Sequence, residues 1–392
     1  MKESLRHGSI QTIFRPTEDD ADTVDFKIKD VTCIGSYSWV NKSEPTILVP
    51  GAPPIWLNKE LPFKVELDSG GKFIDQNGFR TPSSQHLASF IAIDVLQGEE
   101  GAEEIDWSKV DIVTGRNSLR QLLRWVNGEE RGGEVRDFRI DTHLAGKKTI
   151  LLDRWEARTL ERPGEFTGYG HNFEEVSTKP VAGCEGAVGN HRIIKYDFDG
   201  MTIVVSFEVD AFLESEKADK PKPTQSPGEV DDLSNLLSGL AVSSSLPQSQ
   251  LPEDSPGDIK VIRAGCTVAQ EDIVEMVTRS QRNAANFDWD HVYPQVFFSQ
   301  TPHLFLAIHN RGVFEEVQKE VLGSPKMKSV ERNLETGLKK LRSALETIQN
   351  LVIDHGKNGW LTLICQEGEL RVYERVSNQK CLPADIMARF DE

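Results

Sequence analysis

Two kinds of hydrophobic periodicity alternate along the chain and predict a mixed α/β protein. Apolar residues three and four apart in Lys328–His355 predict a long amphipathic helix, and Ser118–Val126 has the same spacing over a shorter stretch. The apolar segments His191–Asp199 and Met201–Leu213 flank Asp199-Gly200, a dipeptide typical of a type I′ turn. We therefore expect a sheet built largely from hairpins and covered by helices.

Shorter apolar stretches predict the remaining elements. Leu87–Leu96 is expected to form a short helix. Pro45–Pro54 is expected to be an extended segment lying on the core rather than a central strand, because proline cannot donate a ladder hydrogen bond. Further strands are predicted at Asp137–His143, Lys148–Glu156, Ile259–Ile262, Asp272–Ser280, Leu304–Ile308, Trp360–Gln366 and Glu369–Arg375.

The same pattern divides the chain into four parts. Residues 1–110 are rich in turns and are expected to pack on the core, which is formed by residues 111–213 and 259–392. Residues 214–258 between the two halves are dominated by Lys, Pro, Ser, Glu and Gln, a composition typical of a disordered insertion. Leucines at helical spacing within Leu233–Leu240 indicate either a partner-binding helix or a chance feature of a biased segment.

Composition limits the possible locations and partners. None of the 392 residues lies in an apolar run long enough for a membrane helix, and the N-terminus lacks a signal-peptide core. The five cysteines are widely spaced and contain no CxxC pair, which favours reduced thiols in the nucleus or cytoplasm. The net charge of −17 argues against broad nucleic-acid binding, DNA included, but allows a pocket that holds a few nucleotides.

Two carboxylates share one face of the predicted strand Phe207–Ala211. Strand side chains alternate, so Glu208 and Asp210 point the same way while Phe207 and Val209 point the opposite way. Adjacent carboxylates on a core strand repel each other, and a hard divalent cation such as Mg²⁺ or Mn²⁺ relieves that cost. The alternative is a strand end at which water solvates both groups.

Two further segments carry acids in unusual settings. Glu275 lies in an apolar strand on the same face as Val277 and Arg279, where the alternative to a metal ligand is an ion pair with Arg279 or another arginine. In Gly168–Glu174, glycines flank aromatic residues ahead of Glu174, which indicates a backbone held close to another group. Taken alone, that segment is an ordinary loop.

Together these motifs resemble, in order and spacing, those of the DXO family of RNA 5′-end decapping enzymes. That family is similar in its core to the PD-(D/E)XK nucleases. The resemblance covers roughly residues 110–376, and each motif is short. The matching segments are Val113-Thr-Gly-Arg116, Gly168–Glu174, His191-Arg192 followed by Glu208-Val-Asp210, Glu275-Met-Val277, and Gln295 ahead of Thr301–Ala307.

The resemblance implies a nuclease-like α/β core and a divergent, fungal member of the family. It implies that Arg116 binds a phosphate, that Gln295 orients substrate or water, and that Mg²⁺ or Mn²⁺ is held by Glu174, Glu208, Asp210 and Glu275. The implied reaction is hydrolysis at an RNA 5′ end: decapping, pyrophosphate removal or NAD-cap removal, with or without 5′–3′ exonuclease activity. A 5′–3′ exoribonuclease is the implied protein partner.

One departure from the family pattern bears on activity. The family has a lysine two residues after the fourth-motif glutamate, and this chain has Val277. Arg279, on the same strand face, is a substitute source of positive charge but cannot act as a base. Three readings follow: an active metal-dependent hydrolase, an inactive relative that binds RNA 5′ ends or an exoribonuclease, and an unrelated scaffold whose acids form surface ion pairs.

The chain also resembles fungal proteins labelled as prenyl-diphosphate synthases. It contains no DDxxD pair, and Asp19-Asp20-Ala-Asp22 has the wrong spacing. The sequence gives that activity no support.

Overall fold

Two β-sheets with helices on their faces form the structure, a computed structural model. It describes residues 1–6, 8–17, 26–69, 73–99, 104–128, 136–161, 168–214, 259–356, 360–376 and 381–391. The predicted mixed α/β class is confirmed. The predicted insertion at 214–258 and the leucines of Leu233–Leu240 lie outside the described residues, apart from Glu214. In the described part of the chain, no helix is long and apolar enough to cross a membrane.

The larger sheet has eleven strands. Its order across the sheet is β1 (Gln11–Ile13), β18 (Glu369–Glu374), β17 (Leu361–Gln366), β7 (Phe138–Ala145), β8 (Thr149–Trp155), β6 (Ile112–Gly115), β11 (Thr202–Val209), β10 (Ala187–Phe198), β2 (Ile28–Val40), β3 (Thr46–Gly51) and β13 (Lys260–Gly265).

The smaller sheet has seven strands. In order they are β5 (Phe63–Lys64), β16 (Val313–Val321), β15 (His303–Asn310), β14 (Ile273–Ser280), β12 (Ala211–Phe212), β4 (Ile55–Trp56) and β9 (Thr178–Lys179).

Helices cover both faces of the larger sheet. The described α-helices are α1 (Gln76–Arg80), α2 (Leu87–Gln97), α3 (Arg116–Asn127), α4 (Gly170–Ser177), α5 (Gln281–Ala284), α6 (Trp289–Ser299), α7 (Pro325–His355) and α8 (Ala384–Ala388).

Side-chain alternation on β11 explains this layering. Ile203 and Val205 join the core under α3, α6 and α7, whereas Val204 joins the core under α2. All three side chains are almost fully buried, so the strand is apolar on both faces, as expected for a strand covered on both sides. The central position of β11 in the sheet follows from this pattern.

The chain passes from one sheet to the other at Asp210. β11 ends at Val209 in the larger sheet, and β12 begins at Ala211 in the smaller sheet, where it pairs with β14. The prediction of one continuous strand over Met201–Leu213 was therefore wrong. Its alternating pattern continues across the break because residues on either side of Asp210 are buried in different cores.

The predicted hairpins are present. β10 and β11 are joined at Asp199 and Gly200, both with positive φ (53° and 80°), as a type I′ turn requires. β17 and β18 are joined at Glu367 and Gly368, which also have positive φ. The local turn chemistry was sufficient to set the register of both pairs.

Two other expectations need correction. Pro45–Pro54 contains a strand, β3, hydrogen-bonded between β2 and β13. Only Ile47 and Leu48 pair with both neighbours; Pro50 lies in the part of β3 that pairs with β13 alone, opposite Ala264, so its missing N–H does not interrupt the pairing with β2. The Gly168–Glu174 segment leads into a helix, α4, rather than a loop.

Candidate active site

The passage of the chain from the larger to the smaller sheet brings Asp210 against β14 of the smaller sheet. Asp210 Oδ2 accepts a hydrogen bond from the backbone N–H of Met276 at 2.7 Å. Met276 belongs to β14, the neighbour of β12, so Glu275 lies one residue from this contact. The chain thereby places two acids from distant segments beside each other at the boundary of the two sheets.

Three more carboxylates surround Asp210. Burial raises the pKa of the Asp210 carboxyl well above its ordinary value, and the negative charges of Glu275 and Glu174 raise it further. Glu208 acts in the same direction, while the Met276 N–H opposes the shift. The acids of four separate sequence positions therefore share one electrostatic environment.

Glu275 is the most buried of these acids and is held on both oxygens. Arg116 Nη1 donates to Glu275 Oε2 at 2.7 Å, with both side chains nearly inaccessible to solvent. Gln295 Nε2 donates to Glu275 Oε1. Arg116 begins α3 directly after β6, and Gln295 lies on α6, so two helices covering the larger sheet reach across to the smaller one.

The arginine paired with Glu275 is thus Arg116, not Arg279. The Arg279 guanidinium lies 5.2 Å from the centre of the Phe287 ring and donates to the backbone oxygen of Thr278. Val277 is partly buried and packs against the main core. Position 277 therefore contributes apolar packing in place of a positive charge.

Glu208 is exposed at the outer part of the site. On β10, His191 is its partner in the strand register, and the Nε2 atom of His191 lies 3.2 Å from Gln76 Oε1. A Cβ at Gly189 would come within 2.6 Å of Gln76 Oε1 and 2.9 Å of Glu208 Oε1. The absence of a side chain at Gly189 leaves room for both groups.

His191 is buried and held neutral. Burial lowers its pKa to about 4, and the positive charge of Arg116 acts in the same direction. Its ring stacks on Tyr37, with centroids 5.0 Å apart. Gln76 and Gly189 had no sequence signal, because nothing local relates the short helix α1 to β10 and β11.

Glu174 approaches from α4, which packs on β14. The helix begins at Gly170, whose missing Cβ would lie 3.4 Å from Thr278 Oγ1. Phe173 is fully buried in the core of the smaller sheet, and Glu174 follows it in a half-buried position. The glycine in this segment thus allows the helix to approach the strand closely, which brings the glutamate near Asp210.

The donor set suits a hard divalent cation, since it consists of carboxylate oxygens around a half-buried acid whose ionised form is disfavoured. Within the described ranges, no three His, Cys, Asp or Glu side chains are already placed to hold one metal ion. Ligation therefore requires side-chain rotation, above all at Glu275, where Arg116 and Gln295 occupy both oxygens.

Comparison with known proteins shows a family and a fold. The sequence matches the model of the family described as "Domain of unknown function (DUF8563)" over residues 9–391. The chain belongs to this family. No curated protein matches it significantly.

Solved structures with the same fold are Rai1 proteins at low identity. Scheffersomyces stipitis Rai1 in complex with (3′-NADP)⁺ and calcium has a TM-score of 0.58 at 12% identity, covering 98% of this chain and 99% of that one. Candida albicans Rai1 in complex with pU5-Mn²⁺ has 0.57 at 11%, covering 94% and 96%. S. pombe Rai1 in complex with 3′-FADP has 0.50 at 13%, covering 95% and 100%.

Proposed function

We propose that this protein is a metal-dependent hydrolase of the DXO type that acts on RNA 5′ ends. The observation that carries the proposal is the half-buried Asp210 surrounded by Glu174, Glu208 and Glu275, within a fold shared with Rai1. Like-charged groups this close destabilise an empty site unless a cation or a proton is taken up. Binding of divalent cations best accounts for a cluster of carboxylates that otherwise repel one another.

The four acids would hold one or two Mg²⁺ or Mn²⁺ ions. A bound ion supplies a water of lowered pKa and stabilises charge on a phosphoryl oxygen. Asp210 is anchored on Met276, which fixes one of its two oxygens. Glu208 is exposed and Glu174 is half-buried, so both are more accessible than Glu275 and are suited to complete a coordination shell.

Arg116 would bind a substrate phosphate. Its guanidinium is held by Glu275 and lies 5.6 Å from the centre of the Phe207 ring, so its position is fixed before a ligand arrives. If Glu275 turned away from this pair, Arg116 could donate to a phosphate through its planar set of N–H groups. Gln295 would orient the substrate or a water molecule from the opposite side of Glu275.

The ligands of the similar structures support nucleotide substrates. The S. stipitis protein was solved with (3′-NADP)⁺ and the C. albicans protein with pU5 and Mn²⁺. We propose the same classes here: a 5′-phosphorylated, capped or NAD-capped RNA end. A 5′–3′ exoribonuclease partner and a nuclear or cytoplasmic location remain part of the proposal.

The valine at position 277, where the DXO family has a lysine, favours a second candidate function. Losing a positioned charge of this kind costs about 10²–10³ in rate, and the nearby Arg279 is associated with Phe287 instead. The alternative is therefore a catalytically impaired protein that binds RNA 5′ ends or an exoribonuclease without turnover.

One experiment separates the two functions. The purified chain is incubated with Mn²⁺ or Mg²⁺ and RNA carrying a 5′ triphosphate, an unmethylated guanosine cap or an NAD cap, and released products are measured by mass spectrometry. Turnover by the wild type that is lost in Asp210→Asn supports the hydrolase. RNA binding without turnover, together with activity gained in Val277→Lys, supports the binding protein. Neither turnover nor 5′-end binding would contradict both.

A further inference from the structure

A cavity of about 570 Å³ lies beside the C-terminal end of helix α1, and none of the four acids is among its described lining residues. Its size falls in the range of about 300–1,000 Å³ that is typical of small-molecule sites. Its described lining includes the apolar Phe73, Phe79 and Leu160 and the basic Lys42 and Arg80. It therefore combines aromatic surface with positive charge.

Arg80 is fixed in the wall of this cavity. Its guanidinium carbon lies 5.4 Å from the centre of the Trp39 ring and 5.5 Å from that of Phe73, and Nη1 donates to the backbone oxygen of Lys42 at 3.2 Å. The Nε–H of Arg80 is buried and has no hydrogen-bond partner in the described part of the chain. A buried donor without a partner is costly, so a ligand that accepted this hydrogen bond, after a shift of the Arg80 side chain that exposes Nε, would remove the cost.

The aromatic side offers a surface for a flat ring. Phe73 and Phe79 have ring centroids 5.2 Å apart, and Phe79 remains 45% exposed although it is a large apolar side chain. Aromatic side chains stack with nucleobases at a gain of about 1–3 kcal/mol per base. An exposed phenyl ring beside an arginine is thus suited to a base joined to an anion.

The charge of the cavity contrasts with that of the protein. The chain has a net charge of −17, yet the described lining residues include Lys42 and Arg80 and no acid. An anionic ligand is repelled by most of this protein and attracted here.

We infer that this cavity is a second nucleotide-binding site, which takes a nucleobase against Phe73 and Phe79 and the attached phosphate at Arg80 and Lys42. Free nucleotides and nucleotides within an RNA strand share this chemistry. The inference does not rest on the proposed hydrolase function, because the acids of that function take no part in the binding.

Helix α1 connects the cavity to the candidate active site. Gln76, at its first position, lies beside Glu208 and His191, whereas Arg80, at its last position, lines the cavity. The two positions are only about 6 Å apart along the helix axis. Asn77 between them accepts hydrogen bonds from Tyr37 and Trp39, which holds the helix against the larger sheet. Arg80 therefore lies about one helical turn along α1 from Gln76, the residue of this helix that lies beside Glu208.

The inference is tested by measuring nucleotide binding under conditions that prevent metal-dependent hydrolysis. Adenosine 5′-monophosphate, adenosine and a five-residue ribonucleotide with a 5′ hydroxyl are titrated calorimetrically into the full chain in the presence of EDTA. We expect AMP to bind, adenosine to bind more weakly, and Arg80→Gln and Phe79→Ala each to weaken AMP binding about tenfold. Asp210→Asn is expected to bind AMP as the wild type does, which separates this site from the proposed hydrolase.

Matched controls are Arg371→Gln and Phe14→Ala, which alter an exposed arginine and an exposed phenylalanine elsewhere. AMP binding with no binding of the oligonucleotide identifies free nucleotides as the ligand, and binding of both identifies a strand. No binding of either at millimolar concentration would overturn the inference. So would binding that Arg80→Gln and Phe79→Ala leave unchanged while the melting temperatures of both variants match the wild type.

Discussion

At the scale of single residues, the ion pair between Arg116 and Glu275 is the most consequential contact of the site. Both side chains are buried, with 10% and 4% of their surface exposed, and they lie 159 positions apart in the sequence. A buried pair costs desolvation for both partners, so its net stabilisation is small, whereas removal of one partner leaves the other uncompensated. The pair therefore acts chiefly to specify how α3 meets β14.

We expect Arg116→Met to lower the free energy of unfolding by about 3 kcal/mol, because Glu275 is left charged among other acids. The double variant Arg116→Met, Glu275→Gln should recover most of that loss, since it leaves no buried charge at the pair. Urea denaturation of the wild type, both single variants and the double variant measures the coupling. Additive losses would show that the two side chains do not interact.

A second buried charge cluster determines behaviour in acid. His86 Nε2 lies 3.0 Å from Asp153 Oδ1, and His143 Nε2 lies 3.4 Å from Oδ2. Burial alone would raise the pKa of Asp153, but the two histidines outweigh it and hold that pKa well below the ordinary value. The folded pKa is thus below the unfolded one. The resulting stabilisation is present above about pH 4 and is lost as the pH falls further.

Accordingly, Asp153→Asn should destabilise the protein by about 2–4 kcal/mol near pH 6. The difference from the wild type should shrink below about pH 4. Chemical denaturation at a series of pH values measures both effects. Asp106→Asn is the control, because Asp106 pairs with Lys109 at the surface and its side chain is half exposed. An equal loss in the two variants would show that burial of the Asp153 cluster has no effect.

At the scale of elements, the contact between α3 and α7 has little free space. Gly337 lies on the buried side of α7, and a Cβ at this position would come within 2.1 Å of Asn127 Oδ1 at the end of α3. Gly-to-Ala substitution inside a helix ordinarily stabilises by about 1 kcal/mol. Here the two helices would have to separate, or Asn127 would have to leave its position.

Gly337→Ala is therefore expected to reduce stability by about 1–3 kcal/mol, because overpacking exceeds the helix-propensity gain. The double variant Asn127→Ala, Gly337→Ala should be more stable than Gly337→Ala, since the obstructing amide is removed. Thermal denaturation followed by circular dichroism gives both values. A stabilised Gly337→Ala single variant would refute the packing argument.

Elements with strong local patterns were predictable from sequence, and elements without them were not. The hairpins at Gly200 and Gly368 and the helix α7 follow from turn residues and periodicity. The strand β16 was missed because only one of its nine residues, Phe314, is buried, so the strand gives no apolar pattern. The helix α6 was missed because it is aromatic-rich and contains Pro294, which argues against a helix interior.

In the candidate site, too, some features could be predicted from local sequence patterns and others could not. Strand alternation and motif order singled out Glu208, Asp210 and Glu275, but no local rule assigns Arg116 as the partner of Glu275 or places Gln76 beside Glu208. Those contacts depend on how the two sheets and α1 are arranged in three dimensions. Sequence reasoning therefore proposed these acids as site residues and could not predict which side chains pair with them or surround them.

At the scale of the whole molecule, metal binding should increase the stability of both sheets together, because the acids come from β11, its junction with β12, β14 and α4. Stabilisation by ligand is about 2.7 kcal/mol when free Mn²⁺ is about a hundred times Kd. We expect Mn²⁺ to raise the melting temperature of the wild type and not that of Asp210→Asn. Asp30→Asn, at an exposed position with positive φ that asparagine tolerates, is the control.

Differential scanning fluorimetry with Mn²⁺, Mg²⁺ and EDTA measures this shift. An equal shift in the wild type and Asp210→Asn would place the metal elsewhere.

The passage of the chain from one sheet to the other at Asp210 affects how activity can be inferred in related proteins. The Asp210 carboxylate accepts a hydrogen bond from the Met276 N–H, which joins the two sheets. It would therefore be retained for stability even in a protein without catalytic activity. Its presence in a relative is therefore weak grounds for assigning catalysis. The side chain at position 277 forms no such hydrogen bond and serves only apolar packing, so under the proposed function its identity is the more informative guide to catalysis in relatives.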